Sequence, residues 1–222
     1  MVTIFLGPPG VGKGTQAKRF ADDRGWAHVS TGDLLRQARR EGTPLGRQAQ
    51  AFMDAGELVP DELILGLVRE HLDALGSAAR VIFDGFPRTV PQAEGLNDLL
   101  AGLSRQVDAV VLFEADDETL IKRIAGRRSC PHCDRVYNVH FTPPAREGVC
   151  DACGHALTHR ADDQADTVRR RLEVYRELTE PLIGYYEMEG PRPVRIDAER
   201  PVADVQAALG RALDAHPGGG GS

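Results

Sequence analysis

An α/β fold, with a mostly parallel sheet covered by helices on both faces, is predicted by three observations on this chain of 222 residues. Short apolar runs alternate with stretches that have helical periodicity. Those runs are apolar throughout rather than alternating, as strands buried on both faces require. The first run, Val2–Leu6, feeds a glycine-rich loop that opens a helix at Lys13. In order, the pattern predicts a strand at Val2–Leu6 and a helix at Lys13–Arg24. Thr43 caps a helix entered through Pro44 and ending at Ala55, and Pro60-Asp61-Glu62 starts another that runs to residue 75. Strands follow at 80–84 and 107–113, then a helix at 116–127. A long polar helix is expected over 164–189, a last strand at Val194–Asp197 and a last helix at 202–215. Ligands of such a sheet gather at the carboxyl ends of its strands. Residues 129–159, rich in Cys, Pro, Gly and His, break the rhythm and read as an insertion. No internal repeat is visible. The terminal residues 217–222 read as a flexible linker outside the fold.

Composition narrows the function classes. Hydrophobic residues make up 41% of the chain, and no apolar run is long enough to span a bilayer. No basic segment precedes the first apolar run, which ends after five residues, so it reads as a core strand and a cytoplasmic location is expected. The net charge of −6 argues against general nucleic-acid affinity and leaves room for a local cationic cleft. Only Lys13, Lys18 and Lys122 are lysines, so nearly all positive charge is arginine.

The loop Gly7-Pro8-Pro9-Gly10-Val11-Gly12-Lys13-Gly14-Thr15 has the spacing of a phosphate-binding P-loop. Its glycines let successive N–H groups converge on an anion, and the helix start adds partial positive charge. Lys13 adds a mobile point charge for β- and γ-phosphates. One departure from the strict pattern stands out: Gly14 occupies the position of a Ser or Thr, and Thr15 comes one later. Asp84 ends a buried strand beside this loop, where Mg²⁺ or its water shell is held, although an acid there could also cap a turn. Arg88 follows in a turn made rigid by Gly85, Pro87 and Pro91. Ser30 and Thr31 precede a helix bearing Arg36, and helix capping and ligand contact fit them equally.

Two more patterns carry chemistry. Arg123 and Arg127 are four apart and would share a helix face; Arg160 and Arg171 are eleven apart, near three turns, and would project together if the helix extended that far. Of Arg169, Arg170 and Arg171, two are expected to be solvated or paired with Asp162, Asp163, Asp166 or Glu173. Cys130-x-x-Cys133 and Cys150-x-x-Cys153 use all four cysteines of the chain and can form two knuckles around a structural Zn²⁺. Two disulfides, or a nucleic-acid-binding zinc ribbon, are the alternatives; reduced thiols and the insertion's few basic residues count against them. His132, His140, His155 and His159 are expected as surface residues and not ligands. The metal would staple a lobe too short to build a core.

The strings GPPGVGKGT, STGDLLR, DGFPRTVPQAE, RRSCPHC, RVYNVHF, RADDQADTVRRRLEVY and PLIGYY resemble the adenylate kinases with a long, zinc-bearing lid, over nearly the whole chain. That family's own loop carries Gly after the lysine. The resemblance implies Mg²⁺-dependent, reversible transfer between ATP and AMP to give two ADP, serving adenine nucleotide balance in a monomeric cytoplasmic enzyme. It implies a P-loop core of residues 1–29, 60–126 and 165–216, an AMP-binding lobe at 30–59 and a lid at 127–164. Gly10, Val11, Gly12, Lys13, Gly14, Thr15, Arg127, Val136, Tyr137 and Arg200 would bind ATP. Thr31, Arg36, Glu57, Leu58, Val59, Gly85, Arg88, Gln92, Arg160 and Arg171 would bind AMP. Lys13, Asp84, Arg88, Arg123, Arg160 and Arg171 would carry the transfer, and Asp162 and Asp163 would tie down the closed lid. A kinase using UMP, CMP or GMP, or a nucleotide-binding zinc protein without kinase activity, are the rival readings.

Overall fold

A computed structural model describes residues 1–76 and 79–215, so the tail expected to be a linker lies outside the described residues. Five parallel strands form the sheet, in the order β2 (Ala27–Ser30), β3 (Val81–Asp84), β1 (Val2–Leu6), β4 (Ala109–Glu114), β7 (Val194–Asp197). Alternation along each strand sorts side chains to two faces. Ile4, Leu6, Phe83 and Leu112 pack on one side; Phe5, Ile82, Val111 and Phe113 pack on the other. Both faces are therefore apolar, which is why these runs show no polar alternation.

Helices cover each face. The apolar cluster of Ile4 and Phe83 is completed by α2 (Thr31–Arg40), α3 (Pro44–Ala55), α4 (Asp61–Leu75), α5 (Val90–Gly102) and α8 (Leu182–Glu189), with α3 packed on α2. Against Phe5 and Phe113 lie α1 (Lys13–Arg24), α6 (Asp117–Ala125), α7 (Ala165–Val174) and α9 (Val202–Asp214). Local chemistry fixes several starts. Ser30, Thr43, Thr89 and Asp116 each accept a backbone N–H three residues on, satisfying a first-turn donor at α2, α3, α5 and α6. Of the pair Ser30-Thr31, Ser30 is the cap.

Strand β2 and helix α5 add to the elements expected from the sequence, and the strand edges expected at 80–84 and 107–113 shift by one or two residues. Three helical expectations are corrected. The helix expected over 116–127 ends at Ala125, and Arg127 opens β5 (Arg127–Ser129), which pairs with β6 (Val136–Asn138) in an antiparallel hairpin. The Asn138 side chain donates to the Arg123 carbonyl at 2.7 Å, the acceptor that Arg127 N–H would need to continue the helix. Arg123 and Arg127 therefore do not share a helix face. Arg160 also lies off α7: a 3₁₀ turn at Ala161–Asp163 and extended Gln164 intervene, so helical phase does not relate it to Arg171. Finally, the helix expected over 164–189 breaks at a π turn, Tyr175–Thr179, before α8. Pro181 has no N–H and crowds the preceding turn; Glu180 N–H instead reaches back five residues to Tyr175 O at 2.8 Å.

Among the described residues no helix is long and apolar enough to cross a membrane.

Candidate active site and cysteine cluster

The loop after β1 is shaped by its glycines. Gly10 and Gly12 have φ of +83° and +103°, which L side chains rarely adopt. Lys13 donates to the Gly7 and Pro8 carbonyls at 2.6 and 2.8 Å, folding the lysine over the loop that it completes. Burial pushes its ammonium down to about 7; Asp84 opposes that shift, and Arg88, Arg171 and Arg127 reinforce it. Gly14 now has a physical reason. A Cβ there would stand 2.9 Å from Asp84 Oδ2, so a Ser or Thr would press on that carboxylate.

Asp84, at the carboxyl end of β3, is buried. Among the described residues it caps no helix. Burial works to raise its pKa, but the His28 imidazole, 3.4 Å from Oδ2, and the Lys13 charge outweigh burial and hold it low. The carboxylate is a hard oxygen donor beside the loop, a chemistry that suits Mg²⁺ or its water shell.

Beyond the loop an open cleft lies between α2, α3, the segment 56–59 and the β3–α5 turn. Thr31, Arg36, Glu57, Leu58, Val59, Gly85, Arg88, Gln92 and Arg171 all line it. These are nine of the ten residues expected to bind AMP. Several are held in place by the fold: Thr31 Oγ1 and Arg88 Nε donate to Gly85 O at 2.9 and 2.7 Å, and Arg36 bonds Asp33 at 2.5 Å. Thr179, from the π turn, donates to Arg88 O at 2.8 Å. The tenth, Arg160, is not part of that lining. It donates from Nε to Ser129 Oγ at 2.8 Å, and burial, with Arg36 and Arg127 nearby, pushes it down to about 9. At neutral pH it remains a cation.

The other cations are tied to different elements. Arg123 donates to Val11 O at 3.0 Å and Ala198 O at 2.8 Å, clamping the loop to the end of β7. Arg127 makes a two-pronged pair with buried Asp163, and Arg171 reaches both Asp162 and Asp163 at 2.8 and 3.3 Å. Burial raises Asp162, yet the guanidinium groups of Arg171, Arg127, Arg36 and Arg160 outweigh it and hold its carboxyl low. These acids thus link β5 to α7. Arg169 pairs with Asp166, and Arg170 with Glu57 and Glu173, so Arg171 alone of the three faces the cleft. Arg40 and Asp134 pair at 3.0 Å between α2 and the insertion. Arg200 is half-exposed and pairs with Asp204 at 3.3 Å, at the end of β7. Val136 is exposed, while Tyr137 turns its ring into the cysteine cluster.

In that cluster Cys130–Cys153, Cys133–Cys150 and Cys133–Cys153 have sulfur separations of 3.4, 3.5 and 3.5 Å, and all four cysteines are free. No pair among them is bonded as a disulfide. Four converging sulfurs, at separations near the roughly 3.8 Å edge of a zinc tetrathiolate, are compatible with zinc. Tyr137 OH lies 3.5 Å from Cys150 Sγ and accepts Asp151 N–H at 2.8 Å, bracing one knuckle. His132, His140, His155 and His159 are exposed.

Sequence reasoning misses His28, Asp61 and Ser129. Asp61 reads in the sequence only as a helix start, yet its carboxylate accepts from both Gln92 and Thr89. His28 and Asp61 lie outside the quoted strings, and Ser129, though within RRSCPHC, shows nothing there of its bond to Arg160; each works through strand pairing or a long-range bond.

Comparison with known proteins fits this arrangement. The family model described as adenylate kinase matches residues 5–191. The chain is 48% identical over 209 residues to an adenylate kinase of Bacillus pumilus, covering 94% of this chain and 96% of the relative. It is 46% identical over 213 residues to that of a Geobacillus species, covering 95% and 99%. It is 50% identical over 190 residues to that of Thermodesulfovibrio yellowstonii, covering 86% and 88%.

Proposed function

Because this chain belongs to the adenylate kinase family, we propose that it transfers the γ-phosphoryl group of ATP reversibly to AMP, giving two ADP, through the cleft beside Lys13. The observation that carries this reading is the convergence of nine candidate AMP residues on one cleft, with Arg88 and Arg171 close enough to depress the Lys13 ammonium. The acceptor is a phosphate oxygen already ionised at neutral pH, so no general base is needed. The work is electrostatic: two anions must meet in line, and charge spreads over equatorial oxygens in the transition state.

In this reading the amides of residues 10–15 and Lys13 hold the ATP phosphates. Arg127, backbone atoms of Val136 and Tyr137, and Arg200 lie along the rest of that nucleotide. Thr31, Arg36, Glu57, Leu58, Val59, Gly85 and Gln92 hold AMP. Arg88, Arg123, Arg160 and Arg171 neutralise the transferring group. Mg²⁺, when bound, offsets charge on the ATP phosphates, with Asp84 ordering its water shell. The lobe 30–59 and the lid 127–164 close over a core of 1–29, 60–126 and 165–216, and the Asp162–Asp163 pairs hold the lid down. Closure excludes water, the competing acceptor. We read the enzyme as a monomer in a cytoplasmic setting, where thiols are kept reduced and free to bind metal.

Nucleotide chromatography tests the reaction. With Mg-ATP, ADP is expected from AMP, with little transfer to GMP, UMP or CMP. Turnover of another monophosphate in preference to AMP would overturn the substrate reading, and absence of transfer would overturn the whole assignment.

We also assign a structural Zn²⁺ to Cys130, Cys133, Cys150 and Cys153. Removing it with a chelator is expected to lower the melting temperature by at least about 5 °C, because metal binding supplies folding free energy to a lobe with almost no core. Turnover at low temperature should fall proportionally less. An unchanged melting curve after metal analysis has verified removal would refute the staple.

A further inference from the structure

Gln92 is 2% exposed and lines the cleft. Its amide is gripped at both ends. Oε1 accepts the backbone N–H of Arg88 at 2.8 Å, and Nε2 donates to Asp61 Oδ1 at 2.7 Å. Asp61 is itself anchored in the first turn of α4, and its other oxygen accepts the Thr89 hydroxyl at 3.2 Å.

A glutamine amide has nearly the same shape after a half-turn about its last torsion, so sterics alone do not choose between its two orientations. Chemistry does so here. A backbone N–H can only donate, and an ionised carboxylate can only accept. Turning the amide over would set two donors against each other at Arg88 and two acceptors against each other at Asp61. The two neighbours independently demand the same orientation. Each end of the amide retains one unused capacity, a lone pair on Oε1 and a hydrogen on Nε2. An acceptor beside a donor matches the edge of a 6-aminopurine, which donates from N6 and accepts at N1. It opposes a 6-oxopurine, which accepts at O6 and donates from N1.

We propose that Asp61 is a specificity-determining residue: by locking the Gln92 amide it makes the cleft read a 6-aminopurine and reject 6-oxopurine monophosphates. This rests on the reading that the monophosphate base lies against Gln92. Asp61 acts through Gln92, as a positioning residue. The Arg88 N–H belongs to the backbone of any sequence, so Asp61 is the part of the lock that a substitution can change.

The test compares kcat/KM for AMP and for IMP, which differs from AMP at the purine edge in question, with saturating Mg-ATP and products separated by chromatography. Asp61→Asn keeps the size of the side chain but can present either a donor or an acceptor to Gln92. The AMP-to-IMP ratio is expected to fall about tenfold, carried mainly by KM, since a mispaired buried amide supplies discrimination of that order. Should that variant fail to fold, Asp61→Ser carries the same expectation, because a hydroxyl also donates and accepts. Equal losses for both nucleotides would make Asp61 a mere structural support and overturn the proposal. Gln92→Ala separates the two levels of inference. If it collapses the ratio while Asp61→Asn does not, the lock is wrong and the base placement stands. If neither variant moves the ratio, the base does not lie at Gln92, and the underlying reading fails together with the proposal.

Discussion

Replacing Lys13 with Met is expected to lower turnover by at least about 10³-fold while leaving the circular dichroism near that of the parent chain and the melting temperature no lower, since burying the ammonium costs the folded state. The lysine donates to the Gly7 and Pro8 carbonyls, which lie in the loop itself, so its loss removes charge from the site more than it removes packing from the core. Its protonation supplies a second readout. Burial, the largest cause, brings its pKa in the folded protein down to about 7 from the ordinary value of 10.5. Below about pH 7 the ammonium is charged in both folded and unfolded chains, and the folded state bears the full cost of burying it. Between about 7 and 10.5 the unfolded chain holds the proton and the folded chain does not. This group's destabilising contribution is therefore relieved as pH rises through that window. Nucleotide phosphates act oppositely, because an anion beside Lys13 favours the charged form. Binding of ATP at pH 8 should take up protons, measurable by titration calorimetry in buffers of different ionisation heat, and much less at pH 6. The Lys13→Met variant has no amine to take up that proton. Near-parental turnover, or unchanged proton uptake in the variant, would remove Lys13 from its assigned role.

The parts of this molecule that are legible in its sequence are those in which a local rule and the global fold agree. Val2–Leu6, the loop to Thr15 and the cap at Thr43 each announce themselves within a few residues, because backbone geometry and burial on both faces dictate their composition. The cysteine cluster is legible for the same reason: two short spacings set up two knuckles. The failures share a different cause. Strand β2 is a short edge strand paired only with β3, and its Ala-His-Val-Ser carries no sustained apolar run. The hairpin of β5 and β6 is held by cysteine sulfurs and Tyr137, so it needs no hydrophobic alternation and displays none. The end of α6 depends on Asn138, fifteen residues away from the Arg123 carbonyl it occupies, and no helical periodicity records that bond. Helical phase groups Arg160 with Arg171. The 3₁₀ turn and Gln164 abolish the phase, and Arg160 is instead held by Ser129 across 31 positions. Resemblance supplies the cleft residues that spacing alone cannot.

Gly46→Ala is expected to be among the most destabilising single-methyl changes in the lobe 30–59, at about 3 kcal/mol or a fall of roughly 6–12 °C in melting temperature. Gly46 lies in the first turn of α3, buried where that helix meets α2. A Cβ built there would stand 2.2 Å from Ala38 O, 2.3 Å from Ala38 C and 2.5 Å from Arg39 N. All three are backbone atoms, so no side chain can swing aside, and the helices themselves must separate. Ala has the better helix propensity by nearly 1 kcal/mol, which would stabilise α3 if space allowed. The clash sets the sign because the overlap exceeds what rotamer relief can absorb. The functional consequence follows from what α2 and α3 carry. Thr31 and Arg36 ride on α2, and α3 leads directly into Gly56, Glu57, Leu58 and Val59 along the cleft. Forcing the pair apart should raise KM for AMP several-fold while KM for ATP changes little, since the loop and Lys13 belong to β1 and α1. Thermal melting and separate substrate titrations check both halves. A variant that melts with the parent chain would show that the close approach is not tight, and equal rises in both KM values would show that the lobe does not serve the monophosphate alone.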